Sequence, residues 1–127
     1  MLLHILSEAH IRLEMEGEHG LEVVGEHLGP VQMLAASLAL CTASVMHDYA
    51  ATAHFHLHQF AIEVTWEYAE HPYRVGNMTM RLHVGADVPP SRQKALLRAA
   101  EQCTVHNTLT HGTHIDMTLE VPGVEQA

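Results

Sequence analysis

Residues 30–46 read Pro-Val-Gln-Met-Leu-Ala-Ala-Ser-Leu-Ala-Leu-Cys-Thr-Ala-Ser-Val-Met, the most apolar stretch of the chain. Gly29-Pro30 breaks what precedes it, and proline suits the first turn of a helix because the N–H missing there has no partner anyway. The spacing predicts a helix from Pro30 to about Tyr49 or Ala53. Between Met33 and Met46 it is apolar nearly all round, the mark of a central, buried helix. At 17 residues, with Gln32, Ser37 and Ser44 inside it, the stretch reads as a core helix before a membrane span. Near its middle sits Cys41.

Period-two alternation dominates on either side. Ile11, Leu13 and Met15 face away from Arg12, Glu14 and Glu16, as in a half-buried strand. Glu16-Gly17-Glu18-His19-Gly20 reads as a turn and Leu21–Val24 as the returning strand. His4–Glu8 is a candidate for an earlier one. After the helix, Phe60, Ile62, Val64, Trp66 and Tyr68 form one strand face. Glu70-His71-Pro72-Tyr73 turns the chain, and Met78, Met80, Leu82 and Val84 alternate in the second arm of a hairpin. Asp87–Ser91 opens a second helix whose apolar face would hold Leu96, Ala99, Ala100 and Cys103. Thr104–Thr110 suggests a further short helix. Ile115, Met117, Leu119 and Val121 alternate as a final strand before Pro122-Gly123. The order, strands and helices intermixed, predicts an α+β fold with helices against antiparallel sheet.

The 127 residues suit one domain, expected to span 1–127. A net charge of −9 with only six scattered Lys and Arg argues against nucleic acid and against an anionic membrane as partners. The opening MLLHILSEAH lacks a basic region and a cleavage site, so a cytoplasmic location is expected. Thirteen histidines would carry the charge to about +4 if all were protonated with the carboxylates still ionised. His54-x-His56-x-His58 would align three imidazoles on one strand face. No Cys or carboxylate completes a local ligand set, so solvent-facing histidines are the expectation and no metal or cofactor is assigned.

Cys41 and Cys103, 62 positions apart, are the only cysteines. A buried cysteine often acts as a small hydrophobe; two on apolar helices could also form a redox pair. For redox work the first must be a thiolate, which burial opposes. Cys41 lies about three turns beyond Pro30, too far for the start of its own helix to help. A cation is therefore expected beside it.

The run Gly29–Ala43, with its helix starting at a proline eleven residues before the cysteine, resembles the corresponding helix of the OsmC/Ohr family (osmotically inducible and organic-hydroperoxide-resistance proteins). Ala99-Ala100-Glu101-Gln102-Cys103-Thr104-Val105-His106 is similar to the family's second cysteine motif, where Cys-Pro-Val is usual. His71-Pro72-Tyr73-Arg74 fits the intervening hairpin. The resemblance runs from about Ile11 to Glu120. It implies an OsmC-like fold in which antiparallel sheets wrap around two long central helices of an intertwined homodimer. It also implies reduction of organic hydroperoxides, with Cys41 attacking the peroxide, Cys103 resolving the product as a disulfide, and an external dithiol reductant regenerating both. In the peroxidase branch a Glu directly after the helix-starting Pro holds an Arg at the cysteine. Here Val31 and then Gln32 follow Pro30, so Gln32 and Arg12 are the candidate polar partners, with His19 or His27 as substitutes for Arg12. The departure at Val31 and Gln32 keeps a second reading open: a catalytically degenerate dimer that binds an apolar small molecule at its interface. A histidine-based metal or pH response is a third.

Overall fold

The computed structural model describes the backbone of Leu2–Ser7, His10–Glu14 and Leu21–Val24, and backbone and side chains of residues 29–123. Its elements are α+β: strands β1 (Leu2–Ser7), β2 (His10–Glu14) and β3 (Leu21–Val24), helix α1 (Pro30–Thr52), strands β4 (Ala61–Ala69) and β5 (Arg74–His83), then helices α2 (Gln93–Ala100) and α3 (Thr104–His111). The chain divides into two compact units, Met1–Leu40 with Val64–Met80, and Cys41–Glu63 with Arg81–Ala127.

In the first unit β1, β2 and β3 form an antiparallel sheet in that order. Register places Leu3 opposite Leu13 and Leu13 opposite Leu21, with Ile5, Ile11 and Val23 in the next row on the same face. These rows explain why alternation was readable: cross-strand neighbours are apolar on one face. His4, Arg12 and Glu22 share the other face. The expected turn at Glu16–Gly20 lies outside the described residues. At the tip of the β4–β5 hairpin, Arg74 donates from Nη1 to the carbonyls of Glu70 and Pro72 at 3.1 and 3.0 Å. Tyr68 stacks on Tyr73, ring centroids 5.2 Å apart. Gly76 faces Ala69 so closely that an added Cβ would lie 2.5 Å from the alanine's.

The helix expected from Pro30 is present, 23 residues long. By length and composition it could cross a membrane. One stripe of it is buried within this chain: Ala35, Leu38, Thr42, Met46 and Ala50, at steps of three and four. Leu40, on another face, is 71% exposed. The expectation of burial all round thus holds for one face only, because a single chain supplies neighbours on one side.

The core of the second unit gathers Met46, Val88, Leu96 and Ala100, with Tyr49, Phe55, Leu57, Phe60, Leu82 and Val84 packed against it. Burying a methionine side chain as fully as Met46 stabilises by roughly 1.5–3 kcal/mol. Helix α1 ends inside this core by a Schellman arrangement. Phe55 N–H donates to Ala50 C=O at 2.9 Å and His54 N–H to Ala51 C=O at 3.2 Å. His54 takes the left-handed conformation there, φ 64°. The hydrophobic contact that accompanies such an ending is Tyr49 against Phe55, edge-on at 6.2 Å. Residues 54–58 are therefore an exit from a helix, not a strand. Phe55 and Leu57 still turn inward while His54, His56 and His58 remain exposed.

Two expectations near the C-terminus need correction. Cys103 does not belong to the second helix. A 3-10 turn at Pro90–Arg92 leads into α2, which ends at Ala100. Cys103 is extended (φ −85°, ψ 150°) and caps the next helix. Its burial matched the helical spacing of Leu96 and Ala100, but its backbone left the helix to begin another. Residues 113–121 form no strand: Ile115 is 72% exposed and Met117 92%. Alternation alone cannot make a strand without an edge to accept its backbone hydrogen bonds, and none of the described strands pairs with these residues.

Candidate functional site

Two backbone events in the second unit create the site. Helix α1 carries Cys41 and Thr42 on adjacent positions, and the Cys103 link delivers the N-terminus of α3. Cys41 and Cys103 come within 3.4 Å of each other. Both are free thiols, Cys41 half-buried and Cys103 fully buried. Thr42 Oγ1, buried, lies 3.8 Å from Cys103 Sγ.

Helix α3 begins because Cys103 caps it. The His106 N–H donates to Cys103 Sγ at 3.1 Å, the geometry a serine or aspartate oxygen usually fills. Asn107 N–H then donates to the Cys103 carbonyl at 3.0 Å, the first regular helical bond. The remaining first-turn N–H groups have no partner within the helix. Those of Val105 and Thr104 are the main-chain influences on the Cys41 thiol.

This arrangement pulls the Cys41 thiol below its ordinary pKa. The Val105 N–H is the largest influence; burial acts against it; the Cys103 thiol, donating to the Cys41 sulfur, and the Thr104 N–H both reinforce the lowering. Among the described residues no side-chain cation is one of these influences. Main-chain donors at a helix N-terminus act there, and the aligned dipoles favour an anion. Cys41 is too far along α1 to use the start of its own helix, but it sits at the start of another.

Arg12 lies on β2 between His4 and Glu22 in register; its side chain is outside the described residues, as are His19 and His27 altogether. Gln32 is exposed in the first turn of α1, its Oε1 set over Gly29. Sequence reasoning missed Thr104 and Val105, which act through their backbones. The signal was present in the short helix expected from Thr104, which put a helix N-terminus immediately after the second cysteine. His56 and His58 rings are 6.2 Å apart. Among the described residues no group of three His, Cys, Asp or Glu is placed to hold a metal ion.

Comparison with known families matches residues 23–118 to the OsmC-like protein family. Among solved structures, a protein of Psychrobacter arcticus 273-4 assigned to osmotic stress induction and detoxification response is similar. It shares 19% identity, with a TM-score of 0.72 over 84% of this chain and 85% of that one. At that identity the likeness is one of fold. No curated protein matches the chain in sequence.

Proposed function

Since the chain belongs to the OsmC-like protein family, a stress-response family, we propose that it reduces organic hydroperoxides with Cys41 as nucleophile and Cys103 as resolving thiol. The observation that supports this most directly is the pair itself: a half-buried thiol pulled toward its anionic form, within 3.4 Å of a second thiol. The Cys41 thiolate attacks one peroxide oxygen and the O–O bond breaks. The departing alkoxide takes a proton and leaves as the alcohol, and Cys41 becomes a sulfenic acid. Cys103 sulfur then attacks Cys41 sulfur; the S–S bond forms and the sulfenic oxygen leaves as water. An external dithiol reduces the disulfide by two thiol–disulfide exchanges.

Homodimer formation is part of this proposal. Leu40 on α1 and the alternating Ile115, Met117, Leu119 and Val121 are large apolar side chains left open to solvent. Together they suit a second copy that covers α1 and offers an edge to residues 113–121. The whole chain acting as a single cytoplasmic domain completes the reading. The deciding measurement is dithiol-dependent consumption of cumene hydroperoxide. Wild type is expected to turn over and Cys41→Ser to fall to the uncatalysed rate. Equal rates in the two would end the peroxidase reading.

A further inference from the structure

We propose that Thr42 is a positioning residue for Cys103: its hydroxyl oxygen is the second acceptor of the Cys103 S–H and, by drawing that proton aside, turns a lone pair of the Cys103 sulfur onto Cys41. The proposal deepens, and rests on, the reading of Cys103 as the thiol that resolves Cys41.

Thr42 is the polar member of an otherwise apolar stripe on α1, among Ala35, Leu38, Met46 and Ala50, and it is 2% exposed. A hydroxyl buried there costs free energy unless it is hydrogen-bonded, and valine would fill the same shape. Its Oγ1 lies 3.8 Å from Cys103 Sγ, within reach of a contact to the larger sulfur atom, and either atom can donate. Cys103 is itself fully buried, so its single proton must go to a packed neighbour. The His106 N–H, 3.1 Å from the sulfur, is a donor and cannot accept it. Two acceptors remain among the described contacts: Cys41, within 3.4 Å of Cys103, and Thr42 Oγ1. While Cys41 is a thiolate the anion is the stronger acceptor. The proton then lies between the two sulfurs, on the line along which an S–S bond must form. Once Cys41 is oxidised or capped its charge is gone. The hydroxyl oxygen is then the better acceptor, since an uncharged sulfur accepts weakly. Rotation about the Cys103 Cβ–Sγ bond moves the proton to Thr42 and clears the line. Accepting it uses an oxygen lone pair and makes no demand on the hydroxyl's own proton.

The test uses the aromatic disulfide DTNB in place of a peroxide. Cys41 is half-buried and Cys103 fully buried, so Cys41 reacts first. Its thiolate attacks the reagent, a mixed disulfide forms, and one thionitrobenzoate leaves. Cys103 sulfur then attacks Cys41 sulfur and the mixed disulfide breaks. The second thionitrobenzoate leaves as a thiolate, and the Cys103 proton goes to solvent. Stopped-flow absorbance reads the two releases separately. Thr42→Ala and Thr42→Ser both lose the methyl, and only serine keeps the hydroxyl. Thr42→Ser is expected to follow wild type in both phases. Thr42→Ala is expected to keep the first phase and to slow the second about fivefold, the scale of one net hydrogen bond. Thr42→Val keeps the volume and is expected to match Thr42→Ala, which removes a cavity as the cause. Equal second phases in the alanine and serine variants, a wild-type second phase in Thr42→Val, or a first phase slowed as much as the second overturns the proposal. A wild type that releases one equivalent only does the same. Should the alanine variant fail to fold, Thr42→Val against wild type decides by the same two rates. A protein with these two phases but without hydroperoxide turnover would lose the peroxidase reading and keep the Thr42 assignment.

Discussion

The His106 amide donates to Cys103 Sγ at 3.1 Å, so the second cysteine is at once a redox candidate and the cap of the helix that follows it. The first role depends on reactivity, the second on hydrogen bonding, and substitution can separate them.

A serine at 103 retains an N-cap acceptor, whereas an alanine does not. Cys103→Ala is expected to lose about 0.5–2 kcal/mol by removal of the cap, and Cys103→Ser distinctly less, measured by urea unfolding. Neither can resolve a sulfenic acid. With hydroperoxide alone, both are expected to accumulate Cys41 sulfenic acid, trapped by dimedone at one equivalent per chain. The wild type is expected to form the disulfide instead.

Because the pKa of Cys41 is lowered in the folded protein, chiefly by the Val105 N–H, its ionisation favours folding. That contribution is fully present above the unfolded thiol value, about 8.5, and is lost as pH falls through the folded value. The stability difference between wild type and Cys41→Ser is therefore expected to grow with rising pH across that interval and then level off. Chemical denaturation at a series of pH values checks this; a difference that shrinks with rising pH would have the wrong sign.

His54 closes α1 in the left-handed conformation, φ 64°, where glycine carries no Cβ penalty. His54→Gly is expected to raise stability by up to about 1 kcal/mol, since relief of the roughly 1–2 kcal/mol strain is partly offset by the greater freedom of glycine when unfolded. His54→Val should lower it. Thermal unfolding of the two variants gives the comparison.

Ile115 and Met117 are the most useful probes of self-association, being exposed by 72% and 92% in the single chain. If a second copy covers them, Ile115→Glu with Met117→Glu will shift the protein from dimer to monomer in sedimentation velocity. In a chain that stays monomeric they would alter little, as expected for exposed sites.

Much of this architecture is local in origin. The alternation of Ile62, Val64 and Trp66 against Glu63, Thr65 and Glu67 becomes a strand because the turn at Glu70–Tyr73 brings its partner β5 alongside it. Gly29-Pro30 followed by an apolar run specifies where α1 starts. The family was likewise legible, from the order and interval of Cys41, His71-Pro72 and Cys103. Residues 113–121 show the limit of such patterns: the alternation is in the sequence, but a strand needs an edge from elsewhere.

The activation of Cys41 shows the same limit at the site. The sequence determined which two thiols the chain has, and that the first lies far along its own helix, where burial would keep it protonated. Only the tertiary structure decided what stands opposite it. A side-chain cation has a letter in the sequence; a main-chain N–H is carried by nearly every residue and is invisible there. It becomes chemistry only when the fold frees it from the helical ladder and aims it at an acceptor, as the first turn of α3 does for Cys41.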